Sequence, residues 1–86
     1  MRVVLPTPLA EYTAHVREVD ATGATLAELF ADLDRRYPGL RFRVIDEQDA
    51  IRPHIKVFVN GAQAPSIAAA LAPGDQVLVV AALSGG

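Results

Sequence analysis

The sequence predicts an α+β domain of two layers, a mixed sheet of four to five strands packed on one main helix. Three observations carry that expectation. A capped amphipathic helix runs from about Leu26 to Tyr37. β-branched runs stand on both sides of it, and the first and last are the most apolar. Asn60-Gly61 and Pro73-Gly74-Asp75 mark turns in the second half. A chain of 86 residues is one domain and not two.

Val3-Val4-Leu5, ended by Pro6-Thr7-Pro8, reads as the first strand. Val16-Arg17-Glu18-Val19 is expected to pair back on it, across a wide loop or one helical turn over Leu9 to Ala14. The helix follows. Thr25 and Glu28 have the spacing of a capping box, in which each side chain satisfies the other's backbone N–H. Leu26, Leu29, Phe30, Leu33 and Tyr37 recur at spacings of three and four and form the buried stripe. Asp32, Asp34, Arg35 and Arg36 take the wet side, and Pro38-Gly39 ends the helix.

Arg41 to Arg52 is charged and irregular, and reads as a loop with room for one turn around Phe42 to Ile45. The third strand is His54 to Val59, closed by the hairpin signal Asn60-Gly61. Ala62 to Ala64 is a short return strand, and Ile67 to Leu71 one loose turn. The last strand is Gln76 to Ala81. The first and last strands, being the most apolar, are expected at the centre and parallel, with the helix as their crossover.

Composition removes whole classes of function. There is no cysteine, hence no disulfide, no thiolate metal site, no iron–sulfur cluster and no thiol nucleophile. The formal net charge is −2, and the basic residues are spread out rather than striped, so nucleic acid is not an expected partner. The N-terminus has no apolar run of signal-peptide length, and the longest apolar run, Val77 to Leu83, is strand-sized. No membrane association is expected, and a cytoplasmic protein fits. His15 and His54 stand alone and read as surface residues rather than metal ligands. Lys56 is the only lysine.

Val57-Phe58-Val59-Asn60-Gly61, then Leu71-Ala72-Pro73-Gly74-Asp75-Gln76-Val77, then Leu83-Ser84-Gly85-Gly86 together resemble the MoaD/ThiS sulfur-carrier family. That family includes the small subunit of molybdopterin synthase and carriers of thiamin and cysteine biosynthesis. The resemblance covers the whole chain and implies the ubiquitin-like β-grasp. It implies a globular domain over residues 1–81 and a flexible Gly-Gly tail over 82–86. Family members often carry a proline before the tail, where this chain has Ala81-Ala82. Arg52-Pro53-His54, leading into the third strand, looks like the cysteine-type carriers.

The resemblance also implies a chemistry. A ubiquitin-activating-type adenylyltransferase spends ATP and Mg²⁺ to convert the Gly86 carboxylate into an acyl-adenylate. A sulfide equivalent displaces AMP and leaves a thiocarboxylate. A sulfur-accepting synthase then takes the sulfur: the molybdopterin synthase large subunit, a cysteine-synthase-like enzyme or thiazole synthase. The chain is a carrier and not an enzyme, and it binds no cofactor or metal itself. An α-carboxyl near pKa 3.3–3.7 is ionised at neutral pH and able to attack a phosphate. Gly85 and Gly86 lack Cβ atoms, so backbone and phosphate approach from any side.

The body needs a docking surface. Ile55, Val57 and Val59 share one face of their strand, and Lys56 and Phe58 the other; Val77 and Val79 oppose Leu78 and Val80. If the helix covers the first face, Phe58, Leu78 and Val80 lie open, and with Leu83 and Ser84 they are the expected partner contacts. The same apolar residues are core if other loops cover them. Arg41, Arg43 and Arg52, interleaved with Asp46, Glu47 and Asp49, form either a solvated loop or the rim of a partner site. The same tail chemistry also allows a ubiquitin-like modifier joined through Gly86 to lysines of other proteins, and an idle tail on a binding module is the third reading.

Overall fold

The structure, a computed structural model, describes residues 1–82. Strand β1 (Arg2–Val4) leads into a short helix α1 (Thr7–Ala10) and a 3-10 turn (Glu11–Thr13). Strand β2 (Glu18–Asp20), helix α2 (Leu26–Arg36) and helix α3 (Leu40–Val44) follow, then strands β3 (Ile55–Val59), β4 (Ala62–Gln63) and β5 (Gln76–Ala81). The strands form one mixed sheet in the order β2-β1-β5-β3-β4. β1 and β5 are parallel neighbours, with Val3 opposite Val77, and β5 sits in the middle of the sheet. Their apolar content predicted that placement, because a strand flanked on both sides loses the most water.

One face of the sheet carries the core. Val3, Val57, Val77 and Val79 pack with Leu26, Leu29, Phe30 and Leu33 of α2, all of them buried. Thr25 caps α2 through its hydroxyl, which accepts the Glu28 N–H at 3.3 Å. Glu28 reaches back to the Ala24 N–H at 3.1 Å rather than to Thr25. Thr25 is already bridged to Ala70, and the segment beyond β4 supplies further caps. The carbonyls of Ile67 and Ala69 accept the N–H groups of Ala27 and Leu26, two of the donors a helix start leaves unpaired. The loose turn expected at Ile67 to Leu71 is therefore the N-terminal cap of α2.

Several boundaries differ from the sequence reading. β2 starts two residues later than expected, and Val16 is 51% exposed. The cause is the preceding turn: Ala14 and His15 both have left-handed φ angles, and the buried Thr13 hydroxyl bonds the carbonyls of Ala10 and Val16. α2 ends at Arg36, with Tyr37 as its C-cap. The one turn allowed around Phe42 to Ile45 in the charged stretch is present but starts earlier, as α3, whose Leu40 and Val44 are fully buried together with Ile45. Asp34, placed on the wet side of α2, starts that helix by accepting the N–H groups of Gly39 and Arg41. Among the described residues no helix is long and apolar enough to cross a membrane.

Candidate functional site

β5 organises two surfaces. Its side chains alternate, so Val77 and Val79 enter the core while Leu78 and Val80 are 39% and 37% exposed. On β3 the same alternation buries Ile55 and Val57 and leaves Lys56 exposed and Phe58 half-buried. The antiparallel register sets Phe58 opposite Leu78 and Lys56 opposite Val80. Phe58, Leu78 and Val80 thus come together on the open face, where with Asn60, Gly61 and Gln76 they line a shallow recess of about 760 Å³. Among the described residues Leu78 and Val80 are exposed and Phe58 is half-buried, which does not fit the alternative in which they are core. Val4 extends the apolar row, since it pairs with Leu78 from the other side. The sequence reading missed Val4; the signal was its alternation with Val3 and Leu5, both fully buried.

The second surface surrounds the C-terminal end of β5. Ala81 pairs with Ile55, and the Ala82 N–H donates to the His54 carbonyl at 2.7 Å, so hydrogen bonding continues one residue past the strand. Ala81 and Ala82 line a recess of about 380 Å³ with Tyr12, Arg43 and His54. Leu83, Ser84, Gly85 and Gly86 lie outside the described residues. His15 and His54 lie in separate recesses that each reach Ala81. Among the described residues no group of three or more His, Cys, Asp or Glu side chains could hold a metal ion.

The stretch from Arg41 to Arg52 is ordered by its own charges. Arg41 pairs with Asp49 at 3.0 Å. Asp46 accepts the N–H groups of Ala50 and Gln48 at 3.0 and 2.8 Å, and these bonds, with the more distant Arg52 charge, hold its carboxyl below the ordinary range. Ile45 and Ile51 bridge across the base of the loop.

A mixed five-stranded sheet of this order, with a parallel central pair and one principal helix across it, defines a ubiquitin-like β-grasp protein. The chain matches the model of the ThiS family over residues 3–86. It belongs to that family. It is 32% identical to the sulfur carrier protein CysO of Mycobacterium tuberculosis, across 98% of this chain and 96% of that protein. The CysO of Amycolatopsis orientalis, seen in a crystal structure of a BexX/CysO complex, superposes with a TM-score of 0.91 at 30% identity, covering 99% of this chain and 98% of that one. Small archaeal modifier protein 1 of H. volcanii superposes with a TM-score of 0.77 at 30% identity, covering 96% and 97%.

Proposed function

We propose that this chain is a sulfur carrier whose reacting group is the Gly86 carboxylate. The observation that carries the reading is the family match, which runs through Gly86 and is joined by near full-length likeness to a sulfur carrier protein. An activating enzyme joins the carboxylate to AMP from ATP and Mg²⁺ and releases pyrophosphate. Sulfide then attacks the acyl carbon, AMP leaves, and the C–S bond of a thiocarboxylate replaces the C–O bond. An acceptor enzyme takes the sulfur and returns the carboxylate. The globular body supplies no acid, base or metal to these steps. Its part is to dock and to aim the tail from the middle of the sheet. Residues 81–86 reach roughly 20 Å when extended, enough to enter a channel while the body stays outside.

The open face of Phe58, Leu78 and Val80, with Leu83 and Ser84, is the proposed contact for both enzymes in turn. The CysO of A. orientalis is seen in complex with BexX, which supports a partner enzyme for this chain as well. Of the acceptor classes, the Arg52-Pro53-His54 lead favours a cysteine-synthase-like enzyme. Likeness to small archaeal modifier protein 1 favours a second reading, conjugation through Gly86 to target lysines.

Intact mass tests the proposal, taken before and after incubation with the host adenylyltransferase, ATP, Mg²⁺ and a sulfide source. The expected gain equals one oxygen exchanged for sulfur, and deleting Gly86 abolishes it. No gain, with the enzyme active on another carrier, overturns the sulfur reading and directs the search to isopeptide bonds at Gly86.

A further inference from the structure

Eight side chains carry positive charge, and they divide into two sets. Arg2 pairs with Glu18 at 2.6 Å, Arg35 and Arg36 with Asp32 at 2.7 and 3.1 Å, and Arg41 with Asp49 at 3.0 Å. Among the described residues, Arg17, Arg43, Arg52 and Lys56 have no carboxylate within ion-pair distance.

This second set gathers at one place, the root of the tail. Arg17 lines a recess with His15 and Ala81. Arg43 lines the next, with His54, Ala81 and Ala82. Arg52 shares a third with Arg43 and His54. Lys56 stands opposite Val80, the residue before Ala81. Among the described residues Glu11 is the one carboxylate on any of the three recesses. Arg52 also acts on Asp46 through space, but the backbone N–H groups of Ala50 and Gln48 hold that carboxylate. In a chain of net charge −2, local positive charge here runs against the overall sign.

The three arginines are also held alike. Arg17 donates from Nε to the Leu5 carbonyl at 3.1 Å, Arg52 from Nε to the Phe42 carbonyl at 2.7 Å, and Arg43 from Nε to the Tyr12 hydroxyl. Arg52 stacks 4.5 Å from the Phe42 ring centroid and Arg43 lies 5.7 Å from that of Tyr12. Among the described residues the Nη groups of all three make no hydrogen bond. A guanidinium fixed at Nε with its terminal nitrogens free is preorganised to accept a carboxylate and loses less entropy on doing so.

We infer that Arg17, Arg43, Arg52 and Lys56 form a basic collar that docks on an acidic rim at the mouth of the adenylyltransferase channel receiving the tail. The inference rests on the carrier reading above. Surface charges act over about 10 Å at 0.1 M salt, roughly half the reach of the tail. The collar therefore takes hold once the tail is partly inserted, and it fixes the orientation of the body over the channel.

The test follows pyrophosphate release by the host adenylyltransferase with ATP, Mg²⁺ and varied carrier. The carriers are the wild type, Lys56→Gln, the double variant Arg43→Gln/Arg52→Gln and the triple variant that combines these three substitutions. The control is Arg35→Gln, whose charge is paired on α2. The expected result is a rise in KM of about two- to fivefold per charge removed, with kcat unchanged and a weaker salt dependence. Restoring charge as Arg43→Lys and Arg52→Lys recovers part of the loss, and Arg35→Gln matches wild type. Lys56→Gln, which removes no hydrogen bond among the described residues, decides the matter if the triple variant melts early. A wild type that turns over while KM stays level or falls in the variants overturns the collar alone. A wild type that releases no pyrophosphate overturns the carrier reading, and the collar with it.

Discussion

Asn60 and Asp75 lock together the two turns at the end of the sheet where β5 begins. The Asn60 Nδ2 donates to Asp75 Oδ1 at 2.9 Å, and the Asn60 side-chain oxygen accepts the Gln76 N–H at 3.0 Å. Asp75 Oδ2 accepts the Ala72 N–H at 2.8 Å. One side-chain pair thus fixes both the β3–β4 turn and the point where β5 begins. The register of β5 decides which of its residues face solvent, so this pair also sets the position of the open face.

The pair predicts a pH dependence. The Ala72 N–H, then the Asn60 amide, hold the Asp75 carboxyl below its ordinary value. Asp32 is lowered in the same direction, first by the Thr22 N–H and then by Arg35 and Arg36. Asp46 is lowered too. A carboxyl lowered in the folded state stabilises it above the unfolded pKa of about 3.9, and that contribution fades as pH falls through the folded value. Melting temperature should hold between pH 7 and 5 and fall below about pH 4. Asp75→Ala should melt lower at pH 7 and lose less on acidification. An acid decline as steep as wild type would remove Asp75 from the cause.

Asn60→Ala tests the other partner. Asn60 has φ of 50°, in the left-handed region that asparagine tolerates better than alanine. Losing two hydrogen bonds and that conformation should cost on the order of 1–2 kcal/mol, a drop of roughly 5–15 °C by thermal melting. Asn60→Gly, which keeps the conformation, should recover part of it. Equal losses in both variants would assign the whole effect to the hydrogen bonds.

Leu78 and Val79 are neighbours with opposite expected behaviour. Leu78→Arg and Phe58→Arg should weaken binding to the activating and accepting enzymes while melting temperature changes by only a few degrees. Surface substitutions typically stay within about 0.5 kcal/mol. Val79→Ala removes two methyls from a fully packed site and should cost roughly 1–3 kcal/mol. Calorimetry and a pull-down of the same variants separate the two. A Leu78→Arg variant that melts like Val79→Ala would mean that the open face is structural.

Alternation along β3 and β5 made the open face legible in the sequence, because a period of two leaves only two choices of face. The stripe of α2 was legible for the same reason at its own period. What escaped was short or depended on contacts distant in sequence. Leu40, Val44 and Ile45 are core, yet a five-residue helix has too few turns to display a stripe among Arg41, Phe42 and Arg43. The cap that Ile67 and Ala69 provide for α2 is made by backbone carbonyls, which carry no side-chain signal. The basic collar joins residues from the β1–β2 connection, α3, the lead into β3 and β3 itself, and only the sheet order brings them together.

Gly23 gives a prediction the sequence did not single out. A Cβ placed there would lie 2.6 Å from the Leu29 nitrogen and 2.9 Å from the Glu28 carbonyl carbon. Both are backbone atoms of the first turns of α2, which cannot yield as a flexible side chain can. Gly23→Ala should therefore displace the helix start and lose on the order of 2–4 kcal/mol. Urea unfolding reads the change. A loss under about 0.5 kcal/mol would show that the loop before α2 has room to move.

The hydrogen bond from Ala82 to the His54 carbonyl makes the last prediction. It holds the chain against β3 one residue beyond β5. Ala82 is exposed, so slow exchange of its amide must come from that bond and not from burial. Hydrogen exchange should show the Ala82 amide protected relative to an unstructured peptide. Ala82→Pro removes the donor and should lower stability by about 1 kcal/mol, or 4–8 °C. The collar of Arg17, Arg43, Arg52 and Lys56 stays in place in that variant, so the same adenylation assay should show a change smaller than removal of the charges gives. An Ala82 amide that exchanges at the free-chain rate would show that pairing with β3 stops at Ala81.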